Sequence, residues 1–418
     1  MPYKQTFFRP PATKGLRASN WQKSSVKQAQ YVKIWRRKLS AAKVFRTELC
    51  DILGIDYPIF LAGMGGLAGE GHAAQPALVA AVSSTGGMGV LGATGLPLEE
   101  LRAEIREIKR LTSKPFGVDV LLPDEIAMSP PPNMSLSELK KKFIPQQYIT
   151  FVEKLSAEYE IPLTETKLDF AFSEEHSKKQ IEVMLDEGVP LYCSGLGIPD
   201  WVVPMAHEGG MKVLGLAGNV RAALRHKKAG VDFIVAQGHE AGGHTGRVGT
   251  FALLPQVVDA VSPTPVLAAG GIADGRGIVA ALALGAAGVW VGTAFLFASE
   301  ANVTEVHRKM MIEATEEDTR ISRVWTGKTL RQLKNPIQEA FDKSGMPPLP
   351  MPVQILLMID LIYSLAEAKR HDLLCAPTGQ IVGMLKEIKP AKRIMEEMVE
   401  SAVEILNETL PSKVTIRT

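Results

Sequence analysis

From Pro58 to Phe295, short runs of apolar and β-branched residues alternate with stretches in which apolar positions recur every three to four residues. The runs are PIFLA (58–62), GVLG (89–92), FGVDVL (116–121), VPLYCS (189–194), KVLGL (212–216), DFIVAQ (232–237), PVLAAG (265–270) and GVWVG (288–292). Helical patterns such as ALVAAVSST, LEELRAEIREIKRL, VRAALRHKKAG and GIVAALALG lie between most of them. Strands with no polar face are buried on both sides, as in a parallel sheet covered by helices. Eight such units in about 240 residues favour closure into a (β/α)8 TIM barrel over an open doubly wound sheet.

Two regions exceed the barrel period. Residues 122–188, between the third and fourth strands, open with PDEIAMSPPPNMS and continue with polar helices around 136–160 and 174–187. An insertion of this length on a βα-loop lies at the catalytic face and is expected to form a lid. Beyond residue 300 the pattern turns helical near 353–370 and 390–408, broken by GMPPLPMP (345–352). The expected organisation is an arm (1–47), a barrel (48–300, with the insertion 122–188) and a helical cap (301–418). The uncharged run Gly277–Ala298 has the length of a membrane span. Gly285 interrupts it, and its character changes from Ala/Leu to Val-Trp-Val, so it reads as helix, turn and buried strand rather than a span.

Charge adds one feature. The net charge of +2 conceals an acid-free arm: twelve of the 47 Lys/Arg precede Glu48, leaving 35 basic against 45 acidic residues in the body. A mildly acidic body gives no charge-level reason to expect nucleic acid, and the basic arm reads as an appendage on the body, with a transit peptide, a membrane-surface arm or an RNA-touching tail as alternatives. Three cysteines in no paired spacing, Cys50, Cys193 and Cys375, indicate a reducing compartment and no zinc ribbon. The cytoplasm is the default, with the mitochondrion the alternative for a eukaryotic source.

In a barrel the chemistry gathers at the C-terminal ends of the strands. There the sequence places AGMGGLAGEGH (62–72), Asp119, QGHEAGGHTG (237–246), GGIADG (270–275) and GTAF (292–295). GGIADGRG leading into a helix, with Gly292-Thr293 beside it, is the pattern of a phosphate cradle. HEAGGH invites comparison with the zinc motif H-E-x-x-H. However, its histidines are five apart and Gly242-Gly243 oppose a helix, so no metal is expected. His244 instead reads as an acid or base projecting into the cavity, with His239 and His72 weaker candidates on neighbouring loops. No lysine ends a strand to form a Schiff base, and Cys193 lies within a strand as packing.

Together AGMGGLAG, STGGMGVLG, PFGVDVL, AQGHEAGGHTG, AAGGIADG and GVWVGTAF resemble, in order over about 58–298, the nitronate monooxygenase (2-nitropropane dioxygenase) family. The resemblance implies a barrel holding FMN non-covalently. Gly63, Met64 and Asp119 would meet the flavin ring, and Gln237, Gly242 and Gly243 its ribityl chain and ring edge. Gly271 with Trp290, Val291, Gly292 and Thr293 would hold the phosphate, and His244 would stand at the reactive face. Where the family usually reads Gly-Val-Asn-Leu, this chain has Asp119 in place of the asparagine. An ionised carboxylate there would disfavour an anionic reduced ring unless it is protonated or paired.

The implied reaction is oxidation of alkyl nitronates by O2 to carbonyl compounds and nitrite. Protonated His244 would stabilise the nitronate, and neutral His244 would deprotonate a nitroalkane. The expected partners are thus a small-molecule substrate and O2, with a homo-oligomer left open. Two alternatives remain at this stage: an FMN-dependent NAD(P)H:quinone or enoyl-thioester reductase on the same barrel, and a non-redox barrel binding a phosphorylated metabolite.

Overall fold

The computed structural model describes residues 45–66, 72–122, 136–166 and 174–415. The basic arm and the PPP segment of the insertion lie outside the described residues. The barrel strands are β1 (Ile59–Leu61), β2 (Gly89–Gly92), β3 (Phe116–Asp119), β4 (Leu191–Ser194), β5 (Lys212–Ala217) and β6 (Phe233–Gln237). A two-residue strand outside the barrel, β7 (Gly243–His244), comes next, followed by the last barrel strands β8 (Val266–Ala269) and β9 (Gly288–Val291). All eight barrel strands fall within the runs expected from the sequence or extend them by one residue.

The sheet is parallel throughout, in the order β1-β9-β8-β6-β5-β4-β3-β2. It closes where Phe60 bridges Met88: the Leu61 N–H donates to the Met88 carbonyl and the Met88 N–H to the Ile59 carbonyl, both at 2.9 Å. Because successive side chains point to opposite faces, each strand contributes to two cores. Phe60, Met88, Cys193, Leu214, Phe233, Leu267 and Trp290 fill the interior, joined by Leu49, Cys50 and Leu53 from the helix Glu48–Leu53. Ile59, Leu61, Val118, Tyr192, Val213, Ile234 and Val289 pack outward against the helices. Each such side chain contributes roughly 1.5–3 kcal/mol on burial. The interior is therefore filled, with Trp290 (5% exposed) between the packed core and the cavity above it.

The uncharged stretch Gly277–Ala298 resolves into the end of the helix Gly275–Ala283, a turn at Gly285 (φ +93°), strand β9 and the short helix Thr293–Leu296. Among the described residues no helix is long and apolar enough to cross a membrane.

The region after residue 300 departs from an all-helical cap in two respects. Its last long helix, Ala391–Glu404, packs between the helices Gly275–Ala283 and Pro76–Ser84 and so completes the outer ring of the barrel. Contact is close enough that a Cβ on Gly275 would stand 2.2 Å from the Ala402 nitrogen. The intervening segment also contains an antiparallel pair, β10 (Thr319–Ser322) and β11 (Leu330–Leu333), and β11 continues by pairing with β7.

The insertion after β3 does not stand alone. Its helices Leu136–Phe143 and Gln146–Glu158 share a core with Pro336–Ser344 and Val353–Glu367, through Leu139, Tyr148, Val152 and Leu155 against Trp325, Phe341, Leu361 and Leu365. Phe151 meets Phe341 edge-on at 4.8 Å, and the Tyr148 hydroxyl donates to the Pro347 carbonyl at 2.9 Å. Of the segments expected as lid and cap, residues 136–161 and 324–374 share one core, whereas Glu174–Asp186 and Ala391–Glu404 pack on the barrel.

Candidate active site

A cavity of about 340 Å³ opens at the C-terminal ends of the strands and is lined by His244 and by every residue that the family resemblance assigned to the flavin. That volume is in the range of small-molecule sites. The loop after β1 brings Gly63 and Met64, β3 ends in Asp119, and β6 ends in Gln237. The next loop brings Gly242, Gly243 and His244, the loop after β8 Gly271, and β9 with its extension Trp290, Val291, Gly292 and Thr293.

The HEAGGH segment is not helical. After a turn it becomes strand β7, in which Gly243 (φ +76°) pairs with Arg331 and His244 with Leu330. The left-handed backbone at Gly243 is the reason for glycine there, since an added Cβ would meet nothing within 4 Å. Gln237 Nε2 donates to the His244 carbonyl at 2.6 Å, tying β7 to the end of β6. The Arg331 Nε donates to the His239 carbonyl at 3.0 Å and its Nη1 to Thr319 Oγ1 at 2.9 Å, bracing the same loop from β11.

His244 Nε2 lies 2.9 Å from Thr326 Oγ1. Burial, helped by the nearby Lys328 ammonium, pushes the imidazole down to about 4. That shift favours the neutral ring over the protonated form near pH 7. Thr326 is 1% exposed and accepts the Lys328 N–H at 3.3 Å, so its hydroxyl is held in place.

The weaker histidine candidates separate from the cavity. His72 is buried, with Nε2 at 2.7 Å from Glu104 Oε2, and serves as a packed hydrogen-bonding group. His239 lies beside Glu240, whose carboxylate accepts the Thr250 N–H at 3.0 Å and so caps the first turn of the helix Thr250–Val261.

The glycine loops leave open space at the ends of β8 and β9, and the helix that follows the first of them is capped from within the chain. The helix Gly275–Ala283 is capped by Asp274, which accepts the Arg276 N–H at 2.9 Å and pairs with the Arg276 guanidinium, and Gly275 faces Ala402. That terminus is occupied by the protein's own carboxylate. The open space lies earlier, at Gly271 (φ +77°), where a Cβ would meet only Glu240 Cβ at 3.9 Å. At Gly292 a Cβ would meet only Ala62 Cβ at 3.5 Å and Met64 Sδ at 3.7 Å.

Two contributors carried no sequence signal. Thr326 is one. The other is Gly379, in the Pro377-Thr378-Gly379-Gln380 turn, whose N–H donates to Thr293 Oγ1 at 2.9 Å and whose Cβ position would fall 3.0 Å from the Gly242 nitrogen. The cap also extends the cavity with His307, Met311, Ile362, Leu374 and Cys375. Cys193 is fully buried in the barrel core, where its thiol is pushed well up, so it is packing. Among the described residues no cluster of His, Cys, Asp and Glu is arranged to hold a metal.

The family model for nitronate monooxygenase matches residues 46–401. A Mycobacterium tuberculosis protein named as a monooxygenase is 39% identical over 378 residues, 87% of this chain and 98% of its own. A Staphylococcus aureus protein named as a nitronate monooxygenase is 34% identical over 373 residues, 86% of this chain and 98% of its own. Among solved structures, nitroalkane oxidase from Streptomyces ansochromogenes superimposes with a TM-score of 0.72 at 30% identity, covering 86% of this chain and 99% of that one. FabK from Thermotoga maritima does so with a TM-score of 0.67 at 30% identity, covering 88% and 99%.

Proposed function

The chain belongs to the nitronate monooxygenase family and is an oxidoreductase, and from that premise we propose that it binds FMN in the cavity and oxidises alkyl nitronates with O2 to carbonyl compounds and nitrite. The observation that carries this reading is His244, a neutral imidazole held by Thr326 in a cavity lined largely by glycine and apolar residues, with Asp119, Gln237 and Glu240 among its polar members.

The residues suit the cofactor. Gly271 and Gly292 leave the space beside the ends of β8 and β9 unfilled, as a phosphate needs for backbone approach. Gly63 and Gly242 let the cavity-lining backbone pack closely on its neighbours: a Cβ would stand 2.2 Å from Asp119 Cβ at the first and 2.8 Å from the Gly379 nitrogen at the second. When bound, FMN supplies the electron-transfer chemistry between substrate and O2.

The protein's part is orientation, proton handling and exclusion of water. With Nε2 tied to Thr326, Nδ1 is the atom of His244 through which a proton is exchanged. In the tautomer in which Thr326 donates to Nε2, Nδ1–H is a hydrogen-bond donor to the nitronate oxygens. In the other, Nδ1 carries the lone pair that removes the α-proton of a neutral nitroalkane. A donor aimed at anionic oxygens in a cavity of low polarity is more effective than in water. Met311, Ile362 and Leu374 would receive the alkyl part of the substrate beneath the cap.

The test is to load the purified protein with FMN and follow O2 uptake and nitrite release with an alkyl nitronate. Stoichiometric nitrite supports the reading. Rapid flavin bleaching by NAD(P)H with no nitrite would place the protein among reductases instead.

A further inference from the structure

Asp119 is the acidic group the mechanism does not use, and its surroundings are unusual. It ends β3, lines the cavity and is 5% exposed. Its backbone is committed to the sheet between Gly92 and Cys193, with its carbonyl accepting the Ala93 N–H at 2.8 Å. The side chain rests against the Gly63 backbone so closely that a Cβ there would stand 2.7 Å from Oδ2. Its other oxygen, Oδ1, is buried and has no hydrogen-bond partner among the described residues.

Among the described residues no cation answers this carboxyl. The titratable groups around it are Cys193 and Tyr192 of β4, both neutral in this setting because burial pushes the thiol and the phenol up. The loop after β1 presents Gly63 and Met64, and the chain after β2 presents Thr94. Burial accordingly drives the Asp119 carboxyl well above the ordinary range. Apolar sites of this kind keep a carboxylic acid neutral at pH 7 so that it can donate a hydrogen bond.

We propose that Asp119 keeps its proton at neutral pH and through it donates a hydrogen bond to an acceptor atom on the ring edge of the bound flavin, so that a carboxylic acid does the work of an amide at this position. The inference rests on the FMN reading given above. A protonated carboxyl has the size of an asparagine amide and, like it, offers one donor and one acceptor face. Unlike the amide it can be lost: raising the pH removes the donor and leaves an unpaired anion against the ring, so FMN affinity falls as pH rises through the carboxyl's titration.

The experiment is FMN binding by flavin fluorescence from about pH 6 to about pH 10, on the wild-type apoprotein, Asp119→Asn and Cys193→Ala. Infrared spectra of the same proteins carrying isotope-labelled aspartate accompany the titration. Wild type and Cys193→Ala should lose at least about tenfold in affinity on the alkaline side, one pKa unit's worth of differential binding. Asp119→Asn should stay flat and within a few-fold of the wild type's acid-side value. The spectra should show a protonated carboxyl band at neutral pH that shifts when FMN binds and is absent from Asp119→Asn. A wild type without that band, with a band that FMN leaves unmoved, or with an affinity as flat as that of Asp119→Asn overturns the inference while FMN binding stands. Failure of wild type and variants to bind FMN at any pH overturns the cofactor reading and the hydrogen bond with it.

Discussion

His244 and Thr326 are 82 positions apart in the chain and meet at 2.9 Å across the boundary between barrel and cap. The contact exists because β11 pairs with β7, which brings the chain around residues 323–330 over the loop after β6. Replacing His244 by Ala or Asn should leave FMN binding intact and reduce kcat/KM about 10²–10⁴-fold, the usual span for a positioned acid–base group. Steady-state nitrite release beside an FMN titration checks both halves.

Thr326→Val keeps the shape and removes the hydroxyl. One hydrogen bond contributes about 1 kcal/mol, so the variant should lose about fivefold in kcat. FMN affinity should be unchanged, and the pH profile should move because the imidazole has lost its anchor. An unmoved profile would show that Thr326 is packing alone.

The His244 imidazole is lowered from 6.5 to about 4 by burial. An unfolded chain takes up the proton near pH 6.5 while the native apoprotein refuses it until about pH 4. The neutral ring's stabilising contribution is therefore present in full above pH 6.5 and is lost as pH falls toward 4. The loss amounts to roughly 3 kcal/mol. Denaturant titrations of the apoprotein at stepped pH should show this acid-side slope, and His244→Asn should flatten it. By the same titration, proton removal from a nitroalkane should be independent of pH between about 5 and 8 as far as this residue is concerned.

Gly292→Ala separates binding from folding. The backbone there (φ −105°) suits any residue, and the new methyl would make only ordinary contacts. Thermal stability of the apoprotein should hold within about 0.5 kcal/mol. FMN affinity should fall at least about tenfold, because the methyl occupies the cradle. Fluorescence titration of FMN reports the second effect.

Gly379→Ala has the opposite signature. Its methyl would fall 2.8 Å from the Glu240 carbonyl and 3.0 Å from Thr293 Oγ1, contacts that backbone cannot relieve. Overpacking of this sort costs about 1–3 kcal/mol. Both stability and turnover should drop, measurable by thermal melts and nitrite assays.

The barrel strands were legible because burial on both faces leaves runs such as GVWV without polar interruption. The candidate residues were legible because strand ends converge by topology. The β7–β10–β11 sheet was not: β7 has two residues, and β11 (LRQL) buries Arg331 and Gln332, so its polar positions look like surface. Thr326 and Gly379 acquire roles only through that sheet and the cap turn, which no spacing in the sequence announces. The GGIADG loop shows a subtler limit. Its glycines mark open space at Gly271, while the adjoining helix terminus is capped by Asp274, one residue before it.

In the proposed function, nitronate delivers electrons to a flavin seated in this cavity. Its most direct test is the anaerobic absorbance spectrum of the FMN-loaded protein on adding an alkyl nitronate. Rapid loss of the oxidised flavin bands, slowed in His244→Ala and reversed on admitting O2 with release of nitrite, is the predicted result. An oxidised spectrum unchanged by nitronate, in protein that bleaches promptly with NAD(P)H, would contradict it.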